Sequence, residues 1–166
     1  LDEPNPRSSH ERPTPRGGGI AVMGALLPAW AAIALFGAEG GPVWIVLAGA
    51  LLLAALSWAD DLRGLPASAR FAFHALAVTI GMWALAGQGP VFQGLLPGWL
   101  DTLAAALLWL WFLNLFNFMD GIDGIAGVES ASVAGGLVLV AALAGGAAGE
   151  ALYPLTLAAA ALGFLA

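Results

Sequence analysis

The 166-residue sequence contains no cysteine, so disulfides, thiolate catalysis and Cys-ligated metals are excluded as the basis of its function. Charge is also scarce: charged residues make up 10% of the chain, against roughly 25% in an ordinary soluble domain. All five cationic residues are Arg, and the formal net charge of -6 argues against nucleic acid as a partner. The opening "LDEPNPRSSHERPTPRGGG" has no initiator Met and lacks the basic and then apolar regions of a signal peptide. Because the final "LTLAAAALGFLA" stops inside an apolar run, the sequence is expected to be a fragment, truncated at both ends.

Long apolar runs are abundant. Hydrophobic residues make up 60% of the chain and mean hydropathy is +0.88. Apolar segments fall at about 19–37, 42–58, 70–87, 99–116, 128–146 and 151–166, each near the roughly 20 residues that a bilayer requires of a spanning helix. The expected fold is an all-α polytopic membrane protein with about six transmembrane helices in one membrane domain. Gly and Pro in the intervening "GAEGGP", "DDLRGLPASAR", "GQGPVFQGLLPG" and "GGAAGE" supply the breaks.

The Arg residues stand at 7, 12, 16, 63 and 70, in the first segment and after the second helix. Those two segments therefore share a side, and the positive-inside rule makes it cytoplasmic. Parity of crossings places "NFMDGIDGIAG", residues 117–127, on the same side. The opposite turns carry Glu39, Asp101 and Glu150 without a cation. Small residues at 134–136 and 145–149 suit close helix packing in lipid, where van der Waals contact drives association.

Two carboxylate pairs lie on the expected cytoplasmic face. Asp60 and Asp61, in "SWADDLRG", repel each other, and a divalent cation would relieve that repulsion; oxygen donors are what Mg²⁺ prefers. The plain alternative is a solvated helix end beside Arg63. Asp120 and Asp123, with Asn117 three residues before them, fall roughly on one side of a helical turn. Gly121, Gly124 and Gly127 would let the backbone approach a ligand and leave amides for an anion at the start of the fifth helix. Carboxylates bordering hydrocarbon are costly and usually functional. An EF-hand is rejected, because its ligands alternate every second residue and close with Glu.

His10, Arg12 and Arg16 with "RGGG" suit phosphate through forked Arg hydrogen bonds and exposed amides, or else anionic lipid headgroups. His74 and Glu129 read as packed or interfacial residues. The Trp residues near helix ends read as interfacial anchors. An intramembrane prenyltransferase, with Asp residues holding a prenyl diphosphate through Mg²⁺, is the alternative enzyme class. A transporter or scaffold fits poorly, since transporter sites usually lie at mid-membrane.

The motifs "DEPNPRSSHERPTPRGGG", "DDLRGL" and "NLFNFMDGIDGIAG", in that order and separated by apolar helices, resemble the polyprenyl-phosphate N-acetylhexosamine-1-phosphate transferases, glycosyltransferase family 4. The first motif is most similar to the bacterial O-antigen-initiating branch, a relative of phospho-MurNAc-pentapeptide translocase. The resemblance implies transfer of an N-acetylaminosugar-1-phosphate from a UDP-sugar to undecaprenyl phosphate, with release of UMP, at the cytoplasmic face of the bacterial inner membrane. It implies Mg²⁺, or Mn²⁺, as cofactor. Undecaprenyl phosphate, a UDP-N-acetylsugar and membrane lipids are the implied partners, and a homodimer is allowed.

By the same resemblance, Asp60 deprotonates or orients the lipid phosphate and Asp61 acts close to Mg²⁺. Asp120 and Asp123 position the nucleotide, with Gly121 beside them and Asn117 as a metal or uridine contact. His10, Thr14 and Arg16 fall where the family places substrate contacts. A further metal-binding Asp, in a "GD-x-GS" type motif, is expected beyond residue 166, so this segment is expected to hold about half of a split site and to be inactive alone.

Overall fold

The computed structural model describes residues 18–37, 41–119, 124–146 and 148–166, and their regular structure is entirely helical. Six helices follow in order: α1 (Gly18–Phe36), α2 (Gly41–Arg63), α3 (Ala67–Ala84), α4 (Gly98–Met119), α5 (Ile125–Leu143) and α6 (Ala148–Leu165). At about 1.5 Å per residue, such lengths match a hydrocarbon layer about 30 Å thick. Among the described residues, α1, α2, α4 and α5 are long and apolar enough to cross a membrane. The six expected helices are therefore present, and four of them meet the length and hydropathy of a span over the described residues. The third helix, interrupted by Arg70 and His74, does not qualify.

What is buried also fits a lipid setting. The buried apolar residues are mostly small, including Ala34, Ala77, Ala84, Ala134 and Ala161, whereas large side chains such as Phe36, Trp83 and Trp99 are exposed. Close packing of small residues lets helices associate where hydrophobic burial gives no advantage over lipid. Of the small residues expected to do this at 134–136, Ala134 is completely buried, while Gly135 and Gly136 face open space.

The helices form two compact units, one built from α1, α5 and α6 and the other from α2, α3 and α4. In the first, α6 packs against both α5 and α1. The indole Nε1 of Trp30 donates to Thr156 Oγ1 at 2.9 Å and to the Tyr153 carbonyl at 3.2 Å, beside Pro154 in α6. The Trp30 and Tyr153 rings meet edge to face with centroids 5.6 Å apart, a favoured aromatic geometry. Gly127, buried at the start of α5, lies against Leu165 of α6, where a Cβ would collide.

In the second unit α2 packs along α3. The α3 residues His74, Ala77, Val78, Gly81 and Ala84 are buried, a helical spacing that marks one packing face. The fourth helix meets α3 through side chains. The Trp109 ring occupies the space that a Cβ on Gly81 would take, and Asn114 reaches His74. Asp101, in the first turn of α4 and only 4% exposed, accepts hydrogen bonds from the amides of Val91 and Phe92, both at 2.9 Å. Those bonds tie the 85–97 connection to α4 and satisfy an otherwise costly buried carboxylate.

Candidate functional site

The paired acids stand where α2 ends. Apolarity suggested a stop near residue 58, but the helix continues through Asp60 and Asp61 to Arg63. It closes at Gly64, whose φ of +62° is left-handed and whose amide bonds the Asp60 carbonyl at 2.7 Å. Glycine is the residue that takes this cap without strain. Pro66 then opens α3, its carbonyl accepting the amides of Ala69 and Arg70. The connection between the two helices is therefore only Gly64–Leu65–Pro66, and the beginning of α3 is brought opposite the end of α2.

That short turn decides the environment of Asp60. One carboxylate oxygen, Oδ1, accepts the Leu65 amide at 2.6 Å, and Oδ2 lies 3.6 Å from Arg70 Nη1. The Arg70 and Asp60 side chains are 38% and 27% exposed, so solvent screens the ion pair and its role is more geometric than energetic. Arg63, expected beside the acids, is exposed in the last turn of α2, where its charge favours the helix C-terminus. The cation paired with Asp60 is instead Arg70, seven residues further along and on the next helix. Asp61 is exposed. Adjacent positions on a helix point about 100° apart, and so the two carboxylates differ in role: one is held inside the turn, the other is presented outward.

A second polar feature lies one turn further along α3. His74, 8% exposed, has Nδ1 at 3.3 Å from Asn114 Oδ1, while Asn114 Nδ2 donates to the Leu110 carbonyl at 2.8 Å. With the amide nitrogen committed to a carbonyl, the Asn114 oxygen faces the imidazole, an arrangement that suits the Nδ1–H tautomer of His74. His74 is thus a packed residue, as its sequence context suggests, with a specific partner. Asn117, three residues after Asn114 and inside α4 rather than in a loop, is exposed.

Of the residues that sequence reasoning assigns to a site, the structure describes Asp60, Asp61 and Asn117, all three within the α2–α3–α4 unit. Asp120, Asp123, Gly121, His10, Thr14 and Arg16 lie outside the described residues. Gly124 caps α5 with a left-handed φ of 76° and no side-chain cap, which agrees with a glycine requirement there. Gly127 is different: its missing side chain makes room for Leu165, so it serves helix packing rather than approach of a ligand.

Among the described residues no group of three or more His, Asp or Glu side chains comes together as a metal site. The exposed oxygens of Asp61 and Asn117 are hard donors of the type Mg²⁺ takes, and they are too few to hold the ion without phosphate, water or further protein oxygens. Arg70 and Asn114 are the residues that sequence reasoning passed over. Arg70 could have been found from the shortness of the "GLP" turn. Asn114 could have been found from its spacing to Asn117, since i and i+3 share a helix face.

A family model described as Glycosyl transferase family 4 matches residues 43–166 of the chain. No curated protein and no solved structure matches significantly.

Proposed function

The chain belongs to glycosyl transferase family 4, the membrane enzymes that transfer sugar phosphates to polyprenyl phosphate, and from that premise we propose that it uses a UDP-N-acetylaminosugar as donor and undecaprenyl phosphate as acceptor. In this reading a phosphate oxygen of the lipid attacks the β-phosphorus of the sugar nucleotide. The bond between that phosphorus and the bridging oxygen breaks, and UMP leaves with the electron pair. The product is undecaprenyl-diphosphate-sugar, the first lipid-linked intermediate of a cell-envelope glycan such as O-antigen. The observation that carries the proposal is that the family match spans both the Asp60–Asp61 turn and the Asn117–Asp123 segment.

Phosphoryl transfer makes little covalent demand on the protein; catalysis is mostly positioning and stabilisation of spread negative charge. With both oxygens engaged by Leu65 and Arg70, Asp60 suits orientation of the turn and of the lipid phosphate better than proton acceptance. Asp61, exposed beside it, is the carboxylate for metal and phosphate, with Asn117 as an oxygen donor to metal or uridine. Asp120, Asp123 and Gly121 are assigned to the nucleotide, and His10, Thr14 and Arg16 to further substrate contacts. The chemistry a bound Mg²⁺ supplies is charge neutralisation on the diphosphate oxygens. The site faces the cytoplasm of a bacterial inner membrane in this proposal, supported by the Arg distribution and by the four apolar spans.

The test is to incubate the full-length protein, in membranes or nanodiscs, with UDP-GlcNAc and its 6-deoxy acetamido relatives, undecaprenyl phosphate and Mg²⁺. UMP and lipid-diphosphate-sugar should appear in equal amounts. Release of pyrophosphate from a prenyl diphosphate, with no UMP from any UDP-sugar, would replace this reading by the prenyltransferase alternative.

A further inference from the structure

The connection between α3 and α4 contains a hydrogen bond that the proposed chemistry leaves without a role. The two helices run antiparallel: Gly81 meets Trp109 and, further back along α3, His74 meets Asn114. Their backbones do not approach as α2 and α3 do, so the seam depends on these side chains. The indole fills the space that Gly81 leaves free, a notch that Ala77 and Leu85, one turn away and each bearing a Cβ, would not offer. The His74–Asn114 bond adds a directional constraint, because donor and acceptor must meet at hydrogen-bond distance.

We propose that His74 and Asn114 lock the α3–α4 register and so act as a positioning pair for the cytoplasmic end of the unit. Arg70 precedes His74 by four residues and Asn117 follows Asn114 by three. Each is one turn further along its helix and on the same face. Because the helices are antiparallel, both turns lead in the same direction. Arg70, clasped to Asp60, and Asn117 therefore stand at one level above the bond. A slip of α4 by one turn, about 5.4 Å, would move Asn117 away from the turn that carries Asp60 and Asp61. The register claim stands on the structure alone; its importance for turnover rests on the proposed transferase activity.

The chain has no native cysteine, so Ala67→Cys on α3 and Leu115→Cys on α4 accept a pair of spin labels without background. Pulsed dipolar distances in nanodiscs are expected to form a narrow distribution in the parent. They should remain so in His74→Asn, which keeps a donor where Nδ1 stood. The double variant His74→Phe/Asn114→Leu leaves no unpaired polar group and is expected to fold. It should nevertheless broaden or displace the distribution and lower kcat/KM about tenfold or more, with His74→Asn recovering to within about threefold of the parent. A parent-like distribution in the double variant would overturn the register lock. A displaced distribution with unchanged turnover would overturn the positioning role. If the full-length parent transfers no sugar phosphate, the transferase reading fails, while the label distances still decide whether the bond sets the register.

Discussion

Asp60 is engaged on both sides by the protein itself: the Leu65 amide donates to Oδ1 at 2.6 Å and Arg70 stands 3.6 Å from Oδ2. Neighbouring carboxylates in one sequence pair are thereby given unlike surroundings. The repulsion that a metal would have to relieve at an isolated Asp-Asp is already answered at Asp60 by protein groups, and Asp61 is left at the surface.

The two acids should therefore respond differently to the loss of charge. Asp61→Asn is expected to lower UMP release by about 10² or more, with membrane insertion unaffected. Asp60→Asn and Arg70→Gln should resemble each other, since each breaks the same pair, and Asp123→Asn should match Asp61→Asn if it holds the nucleotide. Steady-state rates on the purified full-length protein check this; near-parental turnover in all four variants would sink the site assignment.

Metal removal gives a second prediction. Chelation by EDTA should abolish transfer, Mg²⁺ should restore it, and Mn²⁺ should do so in part, because hard oxygen donors such as Asp61 and Asn117 accept either ion. Undiminished UMP release after exhaustive chelation would remove the metal from the proposed reaction.

Asp101 offers a test of stability separate from the chemistry. Its carboxylate is buried and receives the Val91 and Phe92 amides. Asp101→Ala should destabilise the protein by about 2–4 kcal/mol, from two abandoned amides at roughly 1–3 kcal/mol each with partial access to water. Asp101→Asn, which retains one acceptor, should fall between. Thermal unfolding in detergent reads both, and equal midpoints for all three proteins would show that these bonds do not support the 85–97 connection.

A fourth prediction concerns Gly127 and Leu165. A Cβ at 127 would stand 2.8 Å from Leu165 Cδ2 and 2.9 Å from Cγ, closer than carbon atoms pack. Gly127→Ala should destabilise by about 1–3 kcal/mol through overpacking, and Leu165→Ala should relieve much of that cost in the double variant. Strict additivity in the double-mutant cycle, with no coupling between the two sites, would contradict the contact.

Much of the architecture follows from composition and local pattern. The long apolar runs demanded helices, Gly and Pro marked their ends, and the acid clusters stood out against so little charge. Helix boundaries were less legible where polar residues border the apolar runs. Apolarity falls off at Asp60 and Asn117, but hydrogen bonding carries α2 on to Arg63 and α4 on to Met119, because a charged residue can occupy the last turn of a helix as readily as a loop. Likewise, among the described residues four of the six helices have the length and hydropathy of spans; Arg70 and His74 lower the hydropathy of α3, and in α6 the apolar stretch is the shorter Ala151–Leu165.

The sequence by itself determined the membrane class, the lack of cysteine in these 166 residues, the family-like order of its motifs and the two carboxylate pairs that stand out against so little charge. Tertiary structure alone decided which groups those residues meet. Arg70 rather than Arg63 pairs with Asp60, because a three-residue turn folds the start of α3 back onto the end of α2. His74 finds Asn114, forty residues away, and Gly127 yields its space to Leu165. Such partners lie on different helices, and pairing across helices depends on register and facing, which no local spacing encodes.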